Sequence, residues 1–581
     1  KLSQGEETLL PAMWQLLLLA AAFAQEVCED SSLLQTAPGA SGLLAAVELA
    51  AEEHVIKQWS LTPGTFIGMV FGSAAFAAWE WSWGKESVKS HHLFSDRWAL
   101  IMMSAMIQVV SGSVYAFGAW QDELRNALGV SMTGITVIGA LTFVGSLVGL
   151  LGGMIFDRFG PKTAVSLGTS GVTAGYALIG WAVVSTRQTE AKFALAAAGS
   201  LLVGYSSVSL LDNIVCMACS ISFPRNRAAV VGYLKAVLAT SAGIWALLWL
   251  HIFKAQGLPC FMAFSATVSF AMGVASLSSI KVLPEGPARR PFTSTDLARF
   301  ALPLLFLALL SSFDVAASYM YSRGTISSSP RVAYVGVALQ IAPMLVLLTA
   351  PQEHMDSANS SSSSAVLKGM SFGEAACGLD FWLLWLIQFG LFGAGVATNQ
   401  NLALILESAN NVSAAGLGVA LFALSSSLSR VVTGILSDKY NAHFSRFNWI
   451  TSLTCLAALS QFLVSAMDVS SILLGTLLMG LSFGSFFTII VPLVNEMYGG
   501  LHFGKLWGTQ LASQAAAALS ICCAMMPSFY RKAAAGEEVC YGVWCYKTSF
   551  LLLGALNAIG FAAAVLLQAR NRDSMPMTRT K

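Results

Sequence analysis

Gly153-Met-Ile-Phe-Asp157-Arg158-Phe-Gly160-Pro161-Lys162 and Gly434-Ile-Leu-Ser-Asp438-Lys439 are two copies of one short pattern. Each copy has a glycine, three residues, an aspartate and a basic residue. Each closes an apolar run of membrane length, 133–156 and 414–437. Glycine at the end of such a run lets a neighbouring helix approach closely. The aspartate and the cation can bridge helix ends at the membrane surface. Gly145, Gly149 and Gly153 continue the small-residue face through the first run.

Working outward, the other apolar runs fall at 98–120, 163–185, 193–221, 227–252, 261–283, 299–318, 331–350, 381–406, 448–467, 470–494, 506–528 and 547–568. A run of ~20 residues spans a bilayer core as a helix, so fourteen spans are expected. The second copy closes the tenth, which is the second of a block of six beginning at Phe381. The same pattern therefore ends the second helix of two six-helix halves. Repeated halves are the signature of secondary transporters, with the substrate held near the midplane between them.

Composition agrees. Hydrophobic residues make up 56% of the 581 and charged residues 11%, against about 25% charged in a soluble domain. That excludes an ordinary cytosolic enzyme, a disordered chain and a secreted disulfide scaffold. The net charge of +2 gives no nucleic-acid partner. The partner the chain requires is the lipid bilayer.

The expected organisation is an N-terminal targeting or extension region at 1–96, a six-helix half at 97–283, and a central segment at 284–378 with two extra helices and a Ser-rich linker. A second six-helix half follows at 379–568 and a tail at 569–581. In the first region, Met13 and the apolar stretch to Ala24 read equally as a signal sequence or a surface helix. The stretch 64–79 reads as interfacial or as an extra span. Basic residues are denser on the side of the Asp157 and Asp438 loops, which places that side in the cytoplasm. Cys540 and Cys545 then share an exoplasmic loop, where a disulfide can form. The membrane itself (plasma membrane, endomembrane or plastid) is not fixed by the sequence.

Ionisable groups inside spans are costly and so are functional candidates. Arg430 lies eight residues before Asp438, roughly 12 Å deep. Its counterpart in the first half is Gly149, so the charge is one-sided. Asp212 and Lys235 lie twelve residues before and eleven after Pro224. They reach comparable depth on antiparallel helices and can form a neutral pair. Arg430 is then left without an obvious partner, and a bound monoanion would supply the missing charge. Gln108 and Tyr115, Asn399 and Asn401, and Gln510 are the neutral candidates for lining the cavity.

The segments Gly153–Lys162, Phe223-Pro224-Arg225-Asn226-Arg227, Asp380-Phe381-Trp382-Leu383-Leu384, Ser429-Arg430 through Asp438 and Phe503-Gly504-Lys505-Leu506-Trp507-Gly508 resemble the major facilitator superfamily. Within it they are most similar to the nodulin-like branch and the related oxalate/formate antiporters and monocarboxylate transporters. The resemblance covers about 97–568 and implies an all-α membrane protein of two six-helix bundles plus two central helices. In those relatives an arginine on this helix, four residues before a glycine, is implicated in anion binding, and Arg430 with Gly434 matches that pattern. The oxalate-type second cation on the eleventh helix has no match, since Lys505 lies at that helix's start.

The expected function is alternating-access transport of a small organic anion such as pyruvate, lactate, formate or oxalate. Proton symport, with Asp212 and Lys235 as the coupling pair, is favoured over anion exchange. Gly153, Asp157, Arg158, Lys162, Gly434, Asp438 and Lys439 are expected to form the cytoplasmic gate. The alternatives are an amino-acid or other neutral-solute carrier of the same fold, or a membrane sensor that moves nothing. No enzyme, metal or cofactor is expected, and the protein is expected to be a monomer. Gly499–Lys505 approaches a phosphate-binding loop but continues with Leu506, and Cys216-x-x-Cys219 lies in an apolar run without further ligands.

Overall fold

The computed structural model describes residues 62–83, 96–186, 188–283, 291–322, 329–347, 369–411, 414–535 and 540–571. The signal-like stretch at 13–24 and the serine run at 360–364 lie outside them. Within a bilayer an apolar chain must satisfy its backbone polar groups internally, and the helix does so residue by residue. The chain accordingly forms α1 (Pro63–Trp83), α2 (Arg97–Leu128), α3 (Val137–Val184), α4 (Thr189–Ser222), α5 (Arg227–Gln256) and α6 (Leu258–Ser276). The central pair is α7 (Ser294–Ser322) and α8 (Pro330–Val346). The second half is α9 (Leu379–Ser408), α10 (Ala415–Tyr440), α11 (Arg446–Ser465), α12 (Val469–Tyr498), α13 (Phe503–Ala534) and α14 (Trp544–Arg570).

Eleven of these, α2–α6 and α9–α14, are long and apolar enough to cross a membrane among the described residues. One of them, α3, holds two of the expected spans. Gly160 breaks it with φ of 83°, a conformation that glycine adopts without steric cost. Pro161 follows as the first residue of the next arm, where its missing N–H and fixed φ suit a helix start. The expected count of fourteen is not reproduced: both central helices form, but neither is among the eleven.

The helix over 64–79, left open between interface and span, packs on the first half. Phe66 is buried against Gly180 of α3, where any side chain would collide with its ring. Phe76 meets Phe270 of α6 edge-on at 5.2 Å. The central α7 touches both α5 and α10, and α8 touches α5. Cys540 and Cys545 are joined as a disulfide.

Candidate functional site

The two halves meet where α3 crosses α13 and α5 crosses α10. At the Asp157 end, the carboxylate accepts the backbone N–H groups of Gly504 and Lys505 at 2.9 and 3.0 Å. Asp438 does the same to Ala228 and Ala229 at 3.2 and 2.7 Å. Both pairs of N–H groups belong to the first turn of a helix in the opposite half. Such groups have no partner within their own helix, and an anion there also meets the positive end of the helix dipole. Glycine makes the approach possible. A side chain at Gly153 would run into the carbonyl of Gly504, and one at Gly434 would lie 2.5 Å from the carbonyl of Ala228.

The basic residues of the two loops do not take part as the sequence reading expected. Arg158 and Lys439 are exposed and lie over the neighbouring rings of Phe159 and Tyr440 at 5.4 and 5.5 Å. No contact of Lys162 with either aspartate is seen. The cation that meets Asp438 is Arg446, buried at the start of α11, which also pairs with Glu496 of α12. Glu496 in turn lies 3.6 Å from Arg227 of the first half. The sequence carried a weak signal for this network: two acids and two cations within a turn of helix ends on one membrane side.

Deeper along the same crossing lies the cluster built on α4, α5 and α10. Asp212 ends a π-helical stretch, Tyr205–Asp212, a widened turn often found at functional sites. Lys235 donates to both of its carboxylate oxygens at 2.8 and 2.7 Å. Gln108 of α2 donates to Asp212 Oδ1 at 2.8 Å. Arg430 donates through Nη1 to the carbonyl oxygen of Lys235, and Gly232 leaves room for the Arg430 backbone against α5. The Arg430 guanidinium and the Lys235 ammonium lie 5.8 and 5.9 Å from the centre of one ring, Phe487 of α12. This is within the range of a cation–π contact. Sequence reasoning missed Phe487, because nothing in its spacing separates it from the other phenylalanines of α12.

Asp212, Lys235, Arg430 and Gln108 are all buried. No carboxylate among the described residues pairs with Arg430, and its Nε has no hydrogen-bond partner. Asp212 and Lys235 cancel, so the cluster carries one surplus positive charge. Tyr115, on one face of α2 with Gln108, is 43% exposed.

The remaining candidates lie elsewhere. Asn399 is exposed, and Asn401 donates to Ala397 one turn back on its own helix at 2.9 Å. Gln510 is buried and donates to the Phe381 carbonyl at 2.9 Å, binding α13 to α9. None of the three touches the Arg430 cluster. Cys216 accepts from Gln108 at 3.3 Å, and Cys219 packs with Ser104 at 3.5 Å.

Two bundles joined by crossed helices, with buried charges between them, define a multi-pass membrane protein. The proton:xylose symporter XylE, solved with 6-bromo-6-deoxy-D-glucose, superposes with a TM-score of 0.51 at 12% identity, over 81% of this chain and 95% of the symporter. That likeness shows the major facilitator fold. The Nodulin-like family profile matches residues 97–351. NUCLEAR FUSION DEFECTIVE 4 of Arabidopsis thaliana is 21% identical over 531 residues, 82% of this chain and 89% of that protein. The oxalate:formate antiporter of Oxalobacter formigenes is 27% identical over 152 residues, 26% of this chain and 34% of the antiporter. Over residues 97–351 the chain is thus similar to the Nodulin-like family, it has the major facilitator fold, and its membrane-length helices make it an integral multi-pass membrane protein.

Proposed function

We propose that the protein carries a small organic anion, whose carboxylate is received by Arg430 between the two halves. The observation that carries this reading is the surplus positive charge of the buried cluster. An isolated charge in low dielectric is expensive, and a guanidinium meets a carboxylate with two parallel hydrogen bonds. The unpartnered Nε of Arg430 is one donor for that purpose. The similarity to an oxalate:formate antiporter over part of the chain supports the same substrate class.

Transport in this reading proceeds by parting the halves at the Asp157 and Asp438 end after they open at the other. A proton on Asp212 would release Lys235 and leave two cations facing the anion, which is one route to symport. The test is uptake of labelled pyruvate, lactate, formate and oxalate by proteoliposomes at two pH gradients. Arg430→Gln is expected to abolish uptake of the preferred anion. Unchanged anion uptake in the variant, or uptake of neutral analogues alone, would overturn the assignment.

A further inference from the structure

The central helices contain a buried acid that the Arg430 cluster does not use. On α7, Leu307, Leu310, Asp314 and Ala317 are buried, while Leu305 and Leu309 are exposed. Asp314 therefore stands on the face turned into the protein. Its carboxylate rests against Gly243 of α5, where a side chain would overlap Oδ2. On the other flank is Gly336 of α8, where a Cβ would stand 3.8 Å from Oδ1. Two glycines on two different helices thus leave a cradle the size of a carboxyl group.

The cradle supplies no counter-charge. Among the described residues Asp314 pairs with no cation and accepts no hydrogen bond, and its Oδ1 is sealed from solvent. One turn on from Gly336, Gln340 of α8 accepts from Thr240 of α5 at 3.0 Å, and the Gln340 amide nitrogen is likewise buried without a partner. The titratable groups on the packed helices are engaged or distant. On α5, Lys235 lies eight residues before Gly243 and is held by Asp212; His251 lies eight residues after it. Each is roughly 12 Å away along the helix. Tyr233 lies beyond Lys235. On α8, Arg331 and Tyr334 are exposed. On α10, Arg430 is directed to the Lys235 carbonyl, and Asp438 and Lys439 lie at the helix end. On α7 itself, Asp296 begins the helix and Tyr321 meets His251 edge-on.

We propose that Asp314 is a proton-binding site: its carboxylate takes one proton to become a neutral carboxylic acid while the junction of α5, α7 and α8 is closed, and returns it to water when that junction opens. Asp212 differs, because a proton there must compete with a bidentate ammonium. A proton at Asp314 meets no competing cation, and without the proton an anion would be buried with nothing to balance it. Since α7 touches both α5 and α10, the protonation state of Asp314 bears on the two helices that carry Lys235 and Arg430. The site is independent of the organic-anion reading.

The test uses the full-length protein in phosphatidylcholine vesicles and needs no substrate. Dicyclohexylcarbodiimide enters lipid and reacts with protonated carboxyl groups. Mapped by peptide mass spectrometry, Asp314 is expected to be modified in preference to Asp212, and its labelling to fall about tenfold per pH unit on the alkaline side of its midpoint. Infrared spectra are expected to show a carboxylic-acid C=O band that Asp314→Asn removes and Asp314→Glu retains at a shifted position. Wild-type protein left unlabelled at Asp314 across the pH range, or an Asp314→Asn spectrum identical to wild type, would overturn the proposal. Neither result depends on what Arg430→Gln does to uptake.

Discussion

Asp157 and Asp438 occupy equivalent places in the two halves, and each caps the first turn of a helix belonging to the other half. The equivalence is incomplete, because only Asp438 also neutralises a buried arginine. Removing one partner of a buried ion pair costs about 3–5 kcal/mol, whereas losing a cap costs about 0.5–2 kcal/mol. Asp438→Ala is therefore expected to lower the unfolding midpoint in detergent more than Asp157→Ala. Adding Arg446→Met to Asp438→Ala should recover part of the loss. Equal losses in the two single variants would contradict the asymmetry.

Gly153 allows α3 to touch the backbone of α13 at Gly504. A backbone carbonyl cannot swing aside as a flexible side chain can. Gly153→Val is expected to drive the halves apart at this end, raising the reactivity of a cysteine placed at the crossing toward a water-soluble maleimide. Gly118→Ala, at a site with open space around it, should leave reactivity unchanged. Protection of the cysteine in Gly153→Val as complete as in wild type would show that the crossing tolerates a side chain.

Much of this arrangement is legible in the chain, and the reason differs by element. Apolar runs declare helices because a bilayer offers the backbone no other partner. Counting from Pro224 puts Asp212 and Lys235 at one depth, and the structure pairs them. Helical periodicity fixes where a side chain points about its own axis, but not which neighbour it meets. Asn401 consequently turned out to bond its own helix, and Gln510 to bind α9. Arg446 replaced the loop cations at Asp438 because a side chain entering from the next helix can be buried, whereas Arg158 and Lys439 stay exposed. The π-helical turn at Asp212 and the shared ring of Phe487 arise from packing that no local pattern encodes.

At the other membrane face Asp468 caps α12, accepting the Ser471 N–H at 2.9 Å. These hydrogen bonds hold its carboxyl below the usual range. A depressed carboxyl contributes stability above the unfolded value of about 3.9 and loses it as pH falls through the folded value. Asp468→Ala should cost about 0.5–2 kcal/mol at neutral pH. The difference from wild type should shrink in acid unfolding as pH falls through the folded value of this carboxyl. A difference that stays constant while the carboxyl protonates would show that the charge contributes nothing.

Lys235 and Asp212 supply the sharpest separation of charge from shape. Lys235→Met alone leaves Asp212 as a buried anion held by Gln108 and the more distant Arg430, at a cost of about 3–5 kcal/mol. Asp212→Asn alone strands the ammonium of Lys235 beside the guanidinium, two like charges over one ring. The double variant removes both charges, and exchanging a buried pair for neutral groups is often nearly neutral in stability. The expected result is a double-mutant cycle in which the unfolding midpoint of Lys235→Met/Asp212→Asn lies nearer wild type than either single variant. Arg430 keeps its charge in that double variant, so anion binding, measured by protection against thermal unfolding at high oxalate or pyruvate, should persist. Additive destabilisation would mean that the two side chains do not act as a pair. Loss of ligand protection with stability retained would place anion recognition on Lys235 rather than on Arg430.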